Sequence, residues 1–253
     1  MLPNDTREII LVSPVWNDSN RLSIFGPQLA AKLKESELPI RWVVADDGSS
    51  PDEAEKISDL VNSFGTLYSN VDLVRLESRS RKGGAIYSAW DLFPDAKWLS
   101  FVDADGAISA DSMIRLIQTA LSEDCSGYVG IRKNSEEAPL KRDLGRSLSF
   151  RLFRLLVRLL TGLNYQDTQC GAKIILGRAY RSVASKLKER NYVFDVELLL
   201  ALRCLDISCA EKAVPWKEIE GGKVRPMHDA WPMIAALWRI RRRLRSGFYY
   251  SAP

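Results

Sequence analysis

In the first half of the chain, short apolar blocks alternate with longer stretches in which apolar residues recur every three or four positions. Residues 8–15 (EIILVSPV) read as a buried strand and 21–36 as a helix. A second strand at 41–45 (RWVVA) runs into DDGSSPDEAEK. That is a turn followed by a helix start, with Ser50 as N-cap, Pro51 at the first helical position and acids behind it. Residues 71–76 make a third strand, after which RKGGA opens a helix. A fourth strand at 98–102 (WLSFV) ends at DADGA, 109–122 is helical, and 127–131 is a fifth strand. The second half is less regular. It holds an amphipathic helix over 142–162, a helix at 194–205 opening with FDVELL, a strand at 208–216 and a basic terminal helix at 229–246. Strands alternating with helices predict an α/β fold, a mainly parallel central sheet flanked by helices. No repeat or linker divides the chain, so one domain is expected over residues 1–253.

Composition narrows the function. The chain is 46% hydrophobic, enough to bury a core without disulfides, and its net charge of +4 is too mild for a dedicated nucleic-acid binder. The charge is uneven: residues 141–158 carry six Lys or Arg and one acid, and 239–245 (RIRRRLR) carry five Arg and none. The four cysteines form no CxxC pair and His228 is the only histidine, so reduced thiols and no structural zinc are expected. The start, MLPNDTREII, lacks the pattern of a secretory leader, and no run of 18 apolar residues predicts a spanning helix. A cytoplasmic setting is expected. The tryptophans are expected mainly in the core.

Candidate chemistry gathers at the carboxyl ends of the strands, where ligands bind in such sheets. In Asp103-Ala104-Asp105 the two carboxylates are two apart in extended backbone and point the same way, so they can converge on one hard cation, Mg2+ or Mn2+. A solvated acidic turn would read the same. Asp46-Asp47-Gly48-Ser49-Ser50 offers carboxylates to a base or ribose, or simply good turn residues. Lys82 and Gly83, in RKGGA, sit where a helix N-terminus would meet a phosphate, although the spacing is not that of a Walker loop. His228 is a poor general base. Trp216, beside EIEGGK, reads as a core residue or as a ring to stack on a sugar.

Together these residues resemble glycosyltransferase family 2, whose members share the GT-A fold. Within it, the chain is most similar to the polyprenyl-phosphate glycosyltransferases, the dolichyl-phosphate glucosyltransferases above all. The resemblance is carried by PVWND (14–18), DDGSS (46–50), KGGA (82–85), VDADGA (102–107), DTQCGAK (167–173), FDVELL (194–199) and VPWKEIEGGK (214–223). It implies that Pro14, Asp18, Asp46 and Asp47 lie by the nucleoside, and that Asp103, Ala104 and Asp105 meet the metal and the sugar diphosphate. It implies further that Arg132 and Arg146 meet an acceptor phosphate and that Asp167 and Gln169 shape the sugar pocket. Asp195 and Glu197 would lie near the acceptor, as candidate bases if that acceptor is a hydroxyl, and Lys223 would touch phosphate. The chain departs from the pattern at Trp16-Asn17-Asp18, at Arg81, where glycine is common, and at Ala172, where an aromatic is usual.

The activity so implied is inverting transfer of a hexose, glucose first, from a UDP-sugar to a polyprenyl phosphate. The alternatives are a soluble family 2 transferase acting on a hydroxyl of a glycan or metabolite, and a non-catalytic nucleotide-binding or membrane-adaptor protein. On the helix at 142–162, Leu144, Leu148, Leu152, Leu155, Leu156 and Leu159 share one broad face, Arg151, Arg154 and Arg158 lie beside it, and Arg142 and Arg146 point elsewhere. This suits an anionic membrane surface, although packing on the sheet with a charged outer face fits the same pattern. Peripheral attachment on the cytoplasmic face is expected, with room for a separate membrane-protein partner.

Overall fold

In a computed structural model, the described residues are 9–134, 144–219 and 226–250; of these, the side chains of 134, 144–149 and 226–229 are outside the description. Seven strands form one sheet in the order β3-β2-β1-β4-β6-β5-β7. The strands are β1 (Ile9–Val15), β2 (Ile40–Asp46), β3 (Val71–Arg75), β4 (Trp98–Val102), β5 (Gly127–Asn134), β6 (Ala172–Leu176) and β7 (Ala210–Trp216). The helices are α1 (Ser19–Ser36), α2 (Pro51–Leu67), α3 (Arg81–Asp91), α4 (Ala110–Ser122), α5 (Leu144–Thr161), α6 (Gly177–Val183), α7 (Phe194–Arg203) and α8 (Pro226–Arg245). The predicted elements of the first half all appear, within a few residues of the expected ends. β6 and α6 are additions the hydrophobic pattern did not reveal. β6 lies antiparallel between β4 and β5, while β1-β2, β1-β4, β2-β3 and β5-β7 pair in parallel.

β1 and β4 are apolar nearly throughout because both sheet faces are covered. Alternate residues feed two cores. Ile10, Val12 and Phe101 belong to the core shared with α3, α6, α7 and α8, while Ile9, Leu11 and Val102 belong to the core shared with α1, α2 and α4. Two polar residues survive in these strands by satisfying a neighbour. Ser100 Oγ donates to the Ile10 carbonyl at 2.8 Å, and Ser13 Oγ accepts the Trp42 indole N–H at 3.0 Å.

The strand order positions the site. From β1 the chain moves through β2 to β3 on one side, then returns through α3 to place β4 on the other side of β1. The two turns leaving β1 and β4 diverge at this switch point and leave a crevice between them. The PVWND and DADGA segments are those two turns.

Candidate active site

A cavity of about 590 Å3 occupies this crevice. Its floor comes from the strand ends: Pro14 near the end of β1, Trp16 and Asp18 after it, Asp47 after β2, and Asp103, Ala104 and Asp105 after β4. Two loops are laced together beneath it. The Asn17 N–H donates to Ser49 Oγ and the Ser50 N–H to Asn17 Oδ1, both at 2.8 Å. Gly48 has φ +66° and a Cβ there would lie 2.7 Å from the Arg79 nitrogen, so only glycine lets these backbones meet.

Three cations balance the acids. Lys82 Nζ lies 2.6 Å from Asp103 Oδ1. Burial opposes charge on this lysine, but Asp103, Asp195 and Asp105 outweigh it and raise its pKa. Arg21 binds the Asp18 carboxylate through Nε at 2.8 Å and reaches within 3.8 Å of Asp105 Oδ2. Arg79 lies over the Trp16 ring, 3.3 Å from its centre. Burial and the neighbouring Asp103 both raise the pKa of Asp105, while its Oδ1 accepts the Ala107 N–H at 2.9 Å. Two carboxylates that repel one another beside a cavity suit a hard cation. Among the described residues no third His, Cys, Asp or Glu joins them, so such an ion would draw its remaining ligands from phosphate and water, as Mg2+ commonly does.

The far wall is different in kind. Arg132 is gripped by the buried Asp167, which accepts from Nε at 2.6 Å and Nη2 at 2.9 Å. Phe150 and Trp216 flank the guanidinium, with ring centres 5.1 and 5.8 Å away. Burial opposes the charge on Arg132, and its hydrogen bonds to Asp167, with that carboxylate's charge, outweigh it. Beyond Arg132 the lining turns apolar: Leu152, Phe153 and Leu156 from α5, Met233 and Ile234 from α8.

Asp195 reaches the cavity from the first turn of α7. Its Oδ1 lies 2.9 Å from the buried Lys173 ammonium, an ion pair without hydrogen-bond geometry, and Lys173 also donates to the Cys170 carbonyl at 2.8 Å. Burial raises the pKa of Asp195 against the pull of Lys173 and Lys82.

The structure thus gathers Pro14, Asp18, Asp47, Lys82, Asp103, Ala104, Asp105, Arg132, Gln169 and Asp195 around one cavity. It separates several other expected residues from it. Asp46 is buried below the turn, accepting the Ser49 N–H at 3.1 Å and facing Arg75 Nε at 3.2 Å, and does not line the cavity. Asp167 acts through Arg132 and the Gln169 N–H rather than on the pocket directly. Glu197 leaves the site altogether. It accepts the N–H groups of Lys188 and Glu189 and the Tyr249 hydroxyl, and lies 2.9 Å from Arg243, so it ties α7 to α8. The phosphate cradle expected at Gly83 is also corrected. The N–H groups of Gly83 and Gly84 both donate to the Arg190 carbonyl, at 2.8 and 3.3 Å, and a Cβ at Gly83 would lie 2.4 Å from Phe194 Cβ. The glycines there serve close packing of α3 against the start of α7. Arg146 lies on α5 with its side chain outside the described residues, as is that of His228 on α8, and Lys223 falls outside them entirely.

Sequence reasoning missed Arg21, Arg79 and Lys173. Arg21 was findable, because it stands three residues after Asp18 at a helix start, where such pairs meet. Lys173, a lysine inside the apolar AKIIL, was a second overlooked signal. The position of Arg79 in the loop after β3 had none.

The sequence signature of glycosyl transferase family 2 matches residues 14–183. A dolichyl-phosphate beta-glucosyltransferase of Dictyostelium discoideum is 28% identical over 257 residues, covering 98% of this chain and 78% of that protein. The Mus musculus protein of the same name is 30% identical over 254 residues, covering 96% of this chain and 77% of its own length. Among solved structures, glucosyl-3-phosphoglycerate synthase from Mycobacterium tuberculosis, in complex with Mn2+, UDP and phosphoglyceric acid, superposes with a TM-score of 0.63 at 12% identity. The match covers 98% of this chain and 80% of that one.

Proposed function

The chain belongs to glycosyl transferase family 2, and from that premise we propose that it transfers glucose from UDP-glucose to a polyprenyl phosphate, with inversion at the anomeric carbon. One observation carries the reading: a single cavity joins an acidic, lysine-backed end to an arginine whose surroundings are apolar. The first end suits a sugar diphosphate and the second a phosphate attached to a hydrocarbon. The relatives named as dolichyl-phosphate beta-glucosyltransferases support this choice of sugar and acceptor, and the solved structure with UDP and Mn2+ supports the donor and a divalent cation.

In this reading an acceptor phosphate oxygen attacks the anomeric carbon, the bond from that carbon to the diphosphate breaks, and UDP departs. A phosphate is already ionised near neutral pH, so no strong base is required. Asp167 holds Arg132 in a fixed orientation, and Arg132 holds the acceptor phosphate in line with the donor. Lys82 and Arg21 sit beside Asp103 and Asp105 and add positive charge where the diphosphate leaves. Asp103 and Asp105 would hold Mg2+ or Mn2+, which when bound neutralises charge developing on the leaving diphosphate. The acceptor lies in a bilayer, so the reaction belongs at a membrane surface, on the cytoplasmic side where nucleotide sugars are made. A hydroxyl acceptor is the second reading. It is favoured only by Asp195, whose carboxylate lines the cavity with a raised pKa and could take the proton.

The test is to incubate purified protein with Mn2+ or Mg2+ and a panel of UDP- and GDP-sugars, with and without dolichyl or undecaprenyl phosphate, and to follow products by mass spectrometry. A metal-dependent glucosyl phospholipid made from UDP-glucose and absent in Asp105→Ala is the expected result. Donor consumption that ignores the lipid but yields a glycosylated hydroxyl compound would replace the first reading by the second.

A further inference from the structure

The molecule carries one feature that transfer chemistry leaves unexplained: an apolar face held open to solvent. On α5, Phe153, Leu156, Val157 and Leu160 turn toward the core, yet Leu152, Leu155 and Leu159 are 55%, 51% and 64% exposed. Arg151, Arg154 and Arg158 are exposed among them. α8 repeats the arrangement. Trp231, Ala235, Trp238, Arg242 and Arg245 recur at helical spacing and all are exposed, Trp231 by 76% and Trp238 by 56%. The helices are neighbours. Arg241, on α8, donates to the Leu159 carbonyl at 2.9 Å while its guanidinium lies 6.0 Å from the centre of the Trp238 ring. Trp238 therefore stands beside the exposed end of α5. The expectation that tryptophans belong to the core holds for Trp42, Trp90 and Trp98 and fails for these two.

We infer that α5 and α8 together form a docking face for an anionic phospholipid surface, with the mouth of the cavity opening inside that face. Three observations carry the choice of occupant. The exposed leucines are interleaved with arginines: α5 contains four Arg and no acid, and α8 five Arg and one acid, Asp229. Exposed tryptophan beside arginine suits the headgroup level of a bilayer, where one side of the ring is apolar and the other wet. Leu152 is both half-exposed and part of the cavity lining, and Met233 and Ile234 line the cavity from α8, so the apolar wall near Arg132 runs out onto the face without a break. No described helix is long and apolar enough to cross a membrane, so this is contact along helices lying in the interface rather than insertion through it. Such docking would let a lipid acceptor pass sideways from the bilayer to Arg132 without exposing its chain to water. That consequence, though not the docking itself, rests on the lipid-acceptor reading.

The experiment measures co-sedimentation of the whole chain with vesicles of phosphatidylcholine and of a phosphatidylcholine–phosphatidylglycerol mixture, at low and high salt, with tryptophan emission recorded alongside. Wild type binds the mixture, binds phosphatidylcholine weakly, shifts its emission to shorter wavelength on binding, and loses affinity with salt. Leu155→Glu/Leu159→Glu, at exposed positions outside the cavity, binds about 100-fold more weakly or worse. Arg151→Gln/Arg154→Gln/Arg158→Gln also loses about 100-fold, and most of its salt dependence with it. The leucine variant keeps its melting temperature, and its turnover of a water-soluble short-chain prenyl phosphate matches wild type. Wild type that ignores anionic vesicles overturns the inference, as does equal binding by the variants. So does a wild-type dimer that the leucine variant dissociates in the absence of vesicle binding. Vesicle binding by a protein that glycosylates no prenyl phosphate would remove the proposed acceptor and leave the docking face standing. Transfer to the soluble acceptor without vesicle binding would do the reverse.

Discussion

Replacing Gly171 by alanine asks whether the position of the Asp103 carboxylate, and not only its presence, governs turnover. Gly171 leads into β6, and its carbonyl accepts the Asp103 N–H at 2.9 Å, so the two backbones are fixed to one another. A Cβ at Gly171 would lie 2.2 Å from Asp103 Oδ2, 2.7 Å from its Cγ and 3.2 Å from its Cβ. The carboxylate must therefore retreat by about 1 Å to regain ordinary contact. In a rigid core such a clash costs about 1–3 kcal/mol. Asp103 is half-buried beside an open cavity and can leave its rotamer instead, at about 1 kcal/mol. Doing so breaks the 2.6 Å contact with Lys82 and parts one carboxylate from the other. A misplacement of about 1 Å at a reacting centre lowers turnover about 100-fold, equivalent to about 2.7 kcal/mol of transition-state stabilisation. The expected outcome is a kcat/KM for the sugar nucleotide about 100-fold down, with a melting temperature lower by only a few degrees. Initial rates and thermal melts of wild type, Gly171→Ala, Asp103→Ala and the double variant measure both quantities. With the carboxylate removed only the 3.2 Å approach to the Cβ of residue 103 remains, so Gly171→Ala should cost much less stability in the Asp103→Ala background and no further activity, a non-additive cycle. Turnover by Gly171→Ala within about threefold of wild type would refute the reasoning, as would equal stability losses in both backgrounds.

Four further outcomes follow from the geometry. Arg132→Ala strands the buried Asp167 carboxylate and should cost about 3 kcal/mol in denaturant melts, most of it recovered by adding Asp167→Ala, while transfer to a prenyl phosphate stays lost. Glu197→Gln should cost about 2 kcal/mol through Tyr249, Arg243 and the Lys188 and Glu189 amides, yet leave kcat of the folded enzyme nearly unchanged; a collapse of kcat alone would return Glu197 to the site. Burial raises the pKa of Glu189, but Arg239 and Arg243 outweigh it and hold it below 4.5, so its contribution to stability is complete above that value and lost as pH falls through the lower folded value; melting temperature should drop on that side, and Glu189→Gln should flatten the drop. For Asp105 the sign is opposite: burial and Asp103 make it take up its proton above the ordinary 3.8, so carboxyl NMR of the metal-free protein should find it titrating high, and Asp103→Asn should bring it down.

How much of this was legible depends on whether a residue's meaning is local. The blocks at 8–15, 41–45 and 98–102 announced central strands because both faces of β1, β2 and β4 are covered, and the acids behind them announced the site because strand ends at a switch point are where ligands sit. β6 stayed hidden because nothing in AKIIL states its direction or its neighbours; its place between β4 and β5 is fixed by pairing with residues 70 and more positions away or by an antiparallel register that only the finished sheet defines. The pair Gly83-Gly84 was read as a phosphate loop because a close approach leaves the same mark whether a ligand or another helix makes it, and the partner, Phe194, is more than 100 residues distant. One error was avoidable. Asp195 and Glu197 stand two apart, which in extended backbone would aim both at one ligand, but on α7 separates them by about 200°. Naming FDVELL a helix already forbade both carboxylates from sharing a site. The same rotation explains what Glu197 does instead: with Asp195 turned to the cavity, Glu197 turns to α8 and binds Arg243, and the half of the chain with the weakest hydrophobic pattern is held partly by such buried ion pairs. The helix that carries the exposed tryptophans is thus anchored to the helix that carries Asp195.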